Sequence, residues 1–473
     1  MRGMGKLAVP TGIVLAIAAL AVTSAQAATA RITLKPAVGH PSASVTIKGT
    51  GFPVSASVTI DFDASPVTTT STDVSGGFTT AFTVPASATP GAHTVTATSG
   101  TVSAHKTFTV ETDWAHDGFD NTNANTNPYE NVITTGNVGT MTSPWQFTTG
   151  GYVAQPAVVG GVAYFGSTDH NLYAVDVKTG TKDWSFTTGD NVTTTPAVVG
   201  NTVYFGSIDN YLYAVNRTTG LQEWKTLLNG HVLSSPTVSG GVVYVGSNNH
   251  QIIALDASTG TINWAVTTGN IVEDSPTVVG KMVYVGSVDG ELYALKAASG
   301  VVKWHRHYDG QTTKDPTVYP IYYSPAYVNG VLYVADGPFV HALKPSSGGK
   351  LWTYKLHIGK TNVNTSPLAV ADGHVYFGSL GGLVTSVDAA TGGQDWQTFD
   401  TSVGQPTVAN GVLFLPETSS QYLDALDAST GTVLHQFPEG APLSGADAWT
   451  APAVSDGVVY AGATDGLLHA FKP

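Results

Sequence analysis

The sequence predicts an all-β protein: an eight-bladed β-propeller closed by strand exchange between its termini, preceded by a smaller β-sandwich. Three observations predict it. Near-copies of the stretch Ser275 to Trp304, SPTVVGKMVYVGSVDGELYALKAASGVVKW, recur with opening prolines at Pro156, Pro196, Pro236, Pro276, Pro325, Pro367, Pro406 and Pro452. Self-similarity at a period of roughly 40 residues marks repeat architectures such as propellers. Each copy breaks at turn signals into four short β-rich runs, here PTVV, MVYVGS, ELYAL and VVKW, and four antiparallel strands make one blade. Charged residues are only 11% of the chain while glycine numbers 53 of 473, a balance that suits short strands and turns better than long helices.

Closure is read from the two ends of the repeat region. SPWQFTTGG at 143–151 matches the fourth run of later copies, such as DWSFTTGD at 183–190, yet no first three runs precede it. Conversely, the last copy opens at Pro452 and stops at Pro473, after its third run. The two pieces complete one sheet, so the propeller is expected to span 143–473 without an open seam.

Within the third and fourth runs a finer pattern holds. Ala174, Asp176, Gly180 and Trp184 recur as Ala254, Asp256, Gly260 and Trp264, and the tryptophan series runs Trp145, Trp184, Trp224, Trp264, Trp304, Trp352 and Trp396. Glycine permits the positive φ of the turn, the aspartate bonds amides of its own turn, and alanine leaves room for an indole to pack against the neighbouring blade. His435 stands where the next tryptophan is due, and Ser386 replaces one alanine. The pattern A-x-D-x-x-x-G-x-x-x-W resembles the tryptophan-docking motif of the propeller family named for pyrroloquinoline quinone (PQQ), which holds quinoprotein dehydrogenases and non-enzymatic relatives. The motif speaks for packing, not for chemistry.

Residues 1–27 carry Arg2 and Lys6, an apolar run from Gly12 to Val22, and Ala25-Gln26-Ala27, the layout of a secretory signal cleaved after Ala27. Export to the medium or a periplasm is therefore expected, with no membrane span. The absence of cysteine excludes disulfides and lipid attachment through a thiol. Residues 31–111 alternate apolar and polar at period two in six runs between turn clusters, as an immunoglobulin-like sandwich does. GTGF at 49–52 and PGAHTV at 90–95 resemble bacterial Ig-like modules of the IPT/TIG type, which implies a spacer or contact module. Residues 112–142, rich in Asn, Thr and Gly with Trp114, Tyr129 and Met141 dispersed among them, read as a linker or as a strap laid over the propeller.

Net charge is −13, and −15 without the first 27 residues, from 18 basic and 33 acidic groups. Nucleic acid and anionic membrane are thereby disfavoured as partners. The connection from each tryptophan to the next opening proline ranges from 10 to 21 residues, whereas turns on the opposite face are short and uniform. Variable loops on a rigid scaffold are where binding is placed.

That face is expected to display His231, Glu273, Asp274, Tyr322, Tyr323, Asn364, Gln405, Asp447 and Trp449. A PQQ enzyme of the resembled family would need Ca²⁺ on carboxylate and amide oxygens, an aspartate base and an aromatic floor. Glu273, Asp274, Asn364 and Asp447 supply the atom types and Trp449 a ring. Against this, the adjacent cysteine pair and the haem Cys-x-x-Cys-His of such enzymes are missing. His305 and His307 share one side of a strand, as a metal pair would, or as a solvated outer strand does. Asp169, Asp209, Asp289 and Asp465 recur at one hairpin, which argues for turn structure.

The sequence thus reads as a secreted, monomeric, non-catalytic binding scaffold with a protein or glycan partner, using neither metal nor catalytic residues. Two alternatives stand beside it: a secreted dehydrogenase dependent on PQQ and Ca²⁺, and a carbohydrate-binding propeller that stacks sugars on Tyr322, Tyr323 and Trp449.

Overall fold

The computed structural model describes residues 29–308, 319–358, 361–362, 365–379, 382–399, 404–416, 422–437 and 449–473. Asn364, Asp447 and the signal-like segment lie outside them. None of the helices among the described residues is long and apolar enough to cross a membrane.

In the N-terminal part, Arg31–Lys35, Ser44–Thr50 and Phe78–Thr83 form one sheet, while Ser57–Phe62 pairs with Ser65–Ser71 and Gly91–Ser99 in another. Strict alternation explains the pairing: Val45 and Ile47 of one sheet and Val58 and Ile60 of the other are fully buried, with an exposed Thr46 and a half-buried Thr59 between them. Ser65–Ser71 escapes a sequence reading, because SPVTTTS is an edge strand with no apolar alternation.

The repeat region is built from four-stranded antiparallel sheets, of which the described residues form eight, one carrying a fifth short strand. The second is typical, with Ala197–Val199, Thr202–Gly206, Tyr211–Asn216 and Gln222–Leu227 paired in that order. Its second and third strands are buried on both faces, and its fourth alternates as an exposed outer strand does. The innermost strands Ala157–Val159, Ala197–Val199, Thr237–Ser239, Thr277–Val279, Ala326–Val328, Ala369–Ala371, Thr407–Ala409 and Ala453–Ser455 abut in sequence order, and the last abuts the first. Thr142–Thr148 supplies the outer strand of the final sheet, pairing with Leu467–Lys472 so that Trp145 lies opposite Ala470. In the sixth copy the innermost strand follows Leu368, so alignment on Pro367 is one residue out of register.

The indoles bridge sheets. Trp184 stands across its own sheet from Ala174, while its Nε1 donates to the Arg217 carbonyl of the next sheet at 3.0 Å. Trp224, Trp264, Trp352 and Trp396 repeat the bond on Ala257, Ala297, Ala389 and Ala428 at 2.9 to 3.0 Å. Each indole lies on the turn glycine of the following sheet: a Cβ on Gly220 would come 2.7 Å from Trp184, and one on Gly260 2.5 Å from Trp224. The motif glycine therefore has two reasons to be glycine, its φ of about +70° and the ring against it.

Candidate functional site: a polar cup on the ring axis

The innermost strand of a propeller sheet has one edge facing the bore, where its amides and carbonyls lack a strand partner. Here the chain fills that edge with its own residues 112–127. The amides of Val158, Val198, Val278, Tyr327, Val370 and Val408 donate to the carbonyls of Trp114, Ala115, Asn121, Thr122, Ala124 and Asn125 at 2.7 to 2.9 Å. Asparagine side chains serve the carbonyls: Asn125 Nδ2 donates to Leu368 at 2.7 Å, Asn127 Nδ2 to Val454 at 2.8 Å, and Asn123 Nδ2 to Pro276 O at 3.3 Å and Thr277 Oγ1 at 2.9 Å. Asn123 and Asn125 hold φ near +50°, a conformation that asparagine tolerates better than most residues. The strap of the sequence reading lies inside the bore, and its signal is the period-two run Asn121, Asn123, Asn125, Asn127.

At the amino ends of the innermost strands the strap floors a cavity of about 190 Å³. Its wall is the residue preceding the strand-opening position in seven of the eight sheets: Gln155, Thr195, Ser235, Ser275, Ser324, Pro367 and Gln405. Four of these residues are linked in a row. Thr195 Oγ1 donates to Gln155 Oε1 at 3.1 Å, the Thr195 amide to Ser235 Oγ at 3.0 Å, and the Ser235 amide to Ser275 Oγ at 3.1 Å. Gln405 Nε2 donates to Asn125 Oδ1 at 2.5 Å. Asp117 and Asn123 line the floor, and Glu273, Tyr322 and Tyr323 the rim. A second cavity, of about 500 Å³, lies at the other ends of the strands, between the strap and residues such as Val370 and Asn410.

Of the nine residues expected on this face, Glu273, Tyr322, Tyr323 and Gln405 line the cup. His231 is exposed, with Nδ1 2.6 Å from the Ile208 carbonyl, away from the cup lining. Trp449 is not an open platform: it is 4% exposed and packs on His469 and Phe471, with ring centroids 4.7 and 6.1 Å away. Asp274 is buried behind the wall, where its Oδ2 accepts the Gly286 amide. Thr194, Ser234, Ser366 and Thr450 accept the corresponding glycine amides through hydroxyls in other sheets. Loss of hydration pushes the Asp274 carboxyl up to about 8, against the pull of the Gly286 amide. Asp117, Gln155, Asn123 and the wall hydroxyls carry no motif and were missed.

A quinone with its calcium would need several oxygen ligands and an open aromatic ring among these groups. Among the described residues no three His, Cys, Asp or Glu side chains converge as a metal cage. Asp274 is turned to a backbone amide and held neutral, Gln405 is spent on the strap, and the expected aromatic floor is buried elsewhere. The described residues do not fit the cofactor. His305 and His307 both face Glu291, at 2.5 and 3.3 Å. Asp169, Asp209 and Asp289 each bond the tyrosine four residues on and a glycine amide, a structural role.

A family model described as outer membrane protein assembly factor BamB matches residues 96–228, 209–366 and 336–473. The quinohemoprotein alcohol dehydrogenase of Comamonas testosteroni is 31% identical over 129 residues, 23% of this chain and 18% of that protein. Its crystal structure superposes with a TM-score of 0.62 at 17% identity, covering 76% of this chain and 80% of the other. BamB of Yersinia pestis is 28% identical over 162 residues, 32% of this chain and 41% of that protein. The crystal structure of BamB from Moraxella catarrhalis gives a TM-score of 0.59 at 18% identity, over 70% of this chain and all of that one. Structural likeness at such identities speaks for the fold alone. In sequence, this chain spans 18 to 41% of the two curated relatives' lengths.

Proposed function

Because the chain belongs to the family of the outer membrane protein assembly factor BamB, which its residues 96–473 match, we propose that it is an exported, non-catalytic binding scaffold. In this reading residues 1–27 are a signal removed after Ala27, 31–111 an Ig-like spacer, 112–142 the strap, and 143–473 an eight-bladed ring closed by strand exchange. The tryptophan-docking contacts hold that ring together, and a protein partner engages the face with variable loops. The observation that supports the proposal is the filled bore: residues 114–127 bond to the inner strands and leave a polar cup beside them.

The identity with quinohemoprotein alcohol dehydrogenase favours a second reading, a secreted quinoprotein dehydrogenase dependent on PQQ and Ca²⁺. One experiment separates them. The purified chain is incubated with PQQ and Ca²⁺, and both its melting temperature and alcohol- or sugar-dependent dye reduction are measured. The scaffold reading expects neither stabilisation nor turnover; the two together would establish the dehydrogenase.

A further inference from the structure

We propose that the axial cup binds a single neutral, polyhydroxylated ring of monosaccharide size, an assignment that rests on the non-catalytic binding reading and gives it a small-molecule ligand. Two buried side chains in the cup are left half-used. Gln155, 7% exposed, receives Thr195 Oγ1 on its Oε1, while its Nε2 is buried with no partner among the described residues. Asn123, 1% exposed, donates through Nδ2 to the inner strand, while its Oδ1 is buried with no partner among them.

A buried donor or acceptor left unpaired is costly, and the side chains lining the cup carry one donor and one acceptor of this kind, each needing only a small turn of its amide to meet a ligand. A hydroxyl both donates and accepts, so a ring bearing several matches a lining of mixed amide donors and acceptors. The rest of the lining agrees. Carboxylates Asp117 and Glu273 accept from hydroxyls, and the absence of lysine and arginine among the described lining residues disfavours an anion. Tyr322, 45% exposed, stands with Tyr323 at the rim, ring centroids 6.5 Å apart, and offers an apolar face to the C–H side of a sugar. A volume of about 190 Å³ is room for one ring rather than a chain of them.

The test is titration of the full chain, without quinone, against glucose, galactose, mannose, N-acetylglucosamine and myo-inositol, with gluconate as the anionic control, read by calorimetry and saturation-transfer NMR. Saturable binding of at least one neutral probe is expected, with gluconate silent. Gln155→Leu should weaken it at least tenfold; Gln155→Glu, which keeps the acceptor for Thr195, should do the same if the leucine variant folds poorly. Tyr322→Ala, at an exposed ring, should weaken binding with the melting temperature unchanged. No saturation by any neutral probe, equal binding of gluconate, or unchanged affinity in the Gln155 and Tyr322 variants would overturn the assignment. Silent sugars would remove this ligand only, whereas quinone-dependent turnover would remove the scaffold reading beneath it.

Discussion

Trp145 lies directly across a sheet from Ala470, and its indole reaches onward to the neighbouring sheet, where Nε1 donates to the Val177 carbonyl at 2.8 Å. One residue near the start of the repeat region thus joins its last strand to its first complete sheet. Removing Leu467 to Pro473 strips the sheet of buried Leu468, Ala470 and Phe471 and leaves Trp145 without its partner strand. The melting temperature should fall by roughly 10 °C or more, in one transition for the whole ring. An unchanged melting temperature would count against closure.

Glycines at positive φ separate backbone strain from packing. Gly280→Ala, at φ +59° with nothing near its missing Cβ, should cost about 1 kcal/mol from the backbone alone. Gly260→Ala, at φ +70° and 2.5 Å from the Trp224 ring, should cost a further ~1–3 kcal/mol through overpacking. Chemical denaturation of the pair reads the difference, and equal costs would mean that the indole does not dock there.

His435 stands opposite Ala425, where a tryptophan is due, and the structure supplies the reason for the exception. A tryptophan there would dock on the turn between the third and fourth strands of the final sheet, but those strands come from opposite ends of the region and no such turn joins them. His435→Trp should therefore leave the melting temperature unraised, while Trp396→His, which vacates Gly431 and the Ala428 carbonyl, should lower it clearly. A large stabilisation by His435→Trp would contradict the docking account.

Asp274 makes stability depend on pH. Its folded carboxyl titrates near 8 and its unfolded one near 3.8, so between those values the folded state holds a proton that the unfolded state has released. Stability then falls as pH rises from about 4 to about 8, and flattens above. Asp274→Ser restores the hydroxyl used at Ser234 and Ser366 and should remove this dependence. The variant should match the parent near pH 4 and exceed it by several kcal/mol at pH 8, since each tenfold difference in proton affinity between the folded and unfolded carboxyl is worth about 1.4 kcal/mol. Parallel stability curves for the two proteins would show that burial does not hold Asp274 neutral.

The four-stranded sheets, the pairing of the two terminal strands and the small residue opposite each large ring were legible because each rests on local rules repeated many times: period-two burial, turn glycines and matched residue sizes. The cup was legible only in part. Glu273, Tyr322, Tyr323 and Gln405 could be found from loop position, but Asp274 and Trp449 turn inward, which a loop-length argument cannot see. Gln155 and Asn123 were invisible for a different reason. Each is an ordinary amide in sequence and becomes part of a site only when the strap enters the bore. The alternation of Asn121, Asn123, Asn125 and Asn127 is a strand-like signal of an extended segment whose amide side chains can serve backbone carbonyls, a use that composition alone reads as linker.

The filled bore is tested most directly by native-state hydrogen exchange at the inner-strand amides of Val198, Val278, Tyr327, Val370 and Val408. With strap carbonyls as their acceptors, these amides should exchange as slowly as the sheet interiors in the intact chain. In a variant with residues 115–126 replaced by glycine and serine they should exchange markedly faster. Fast exchange at these five amides in the intact chain would mean that the bore stands open, and would contradict the account.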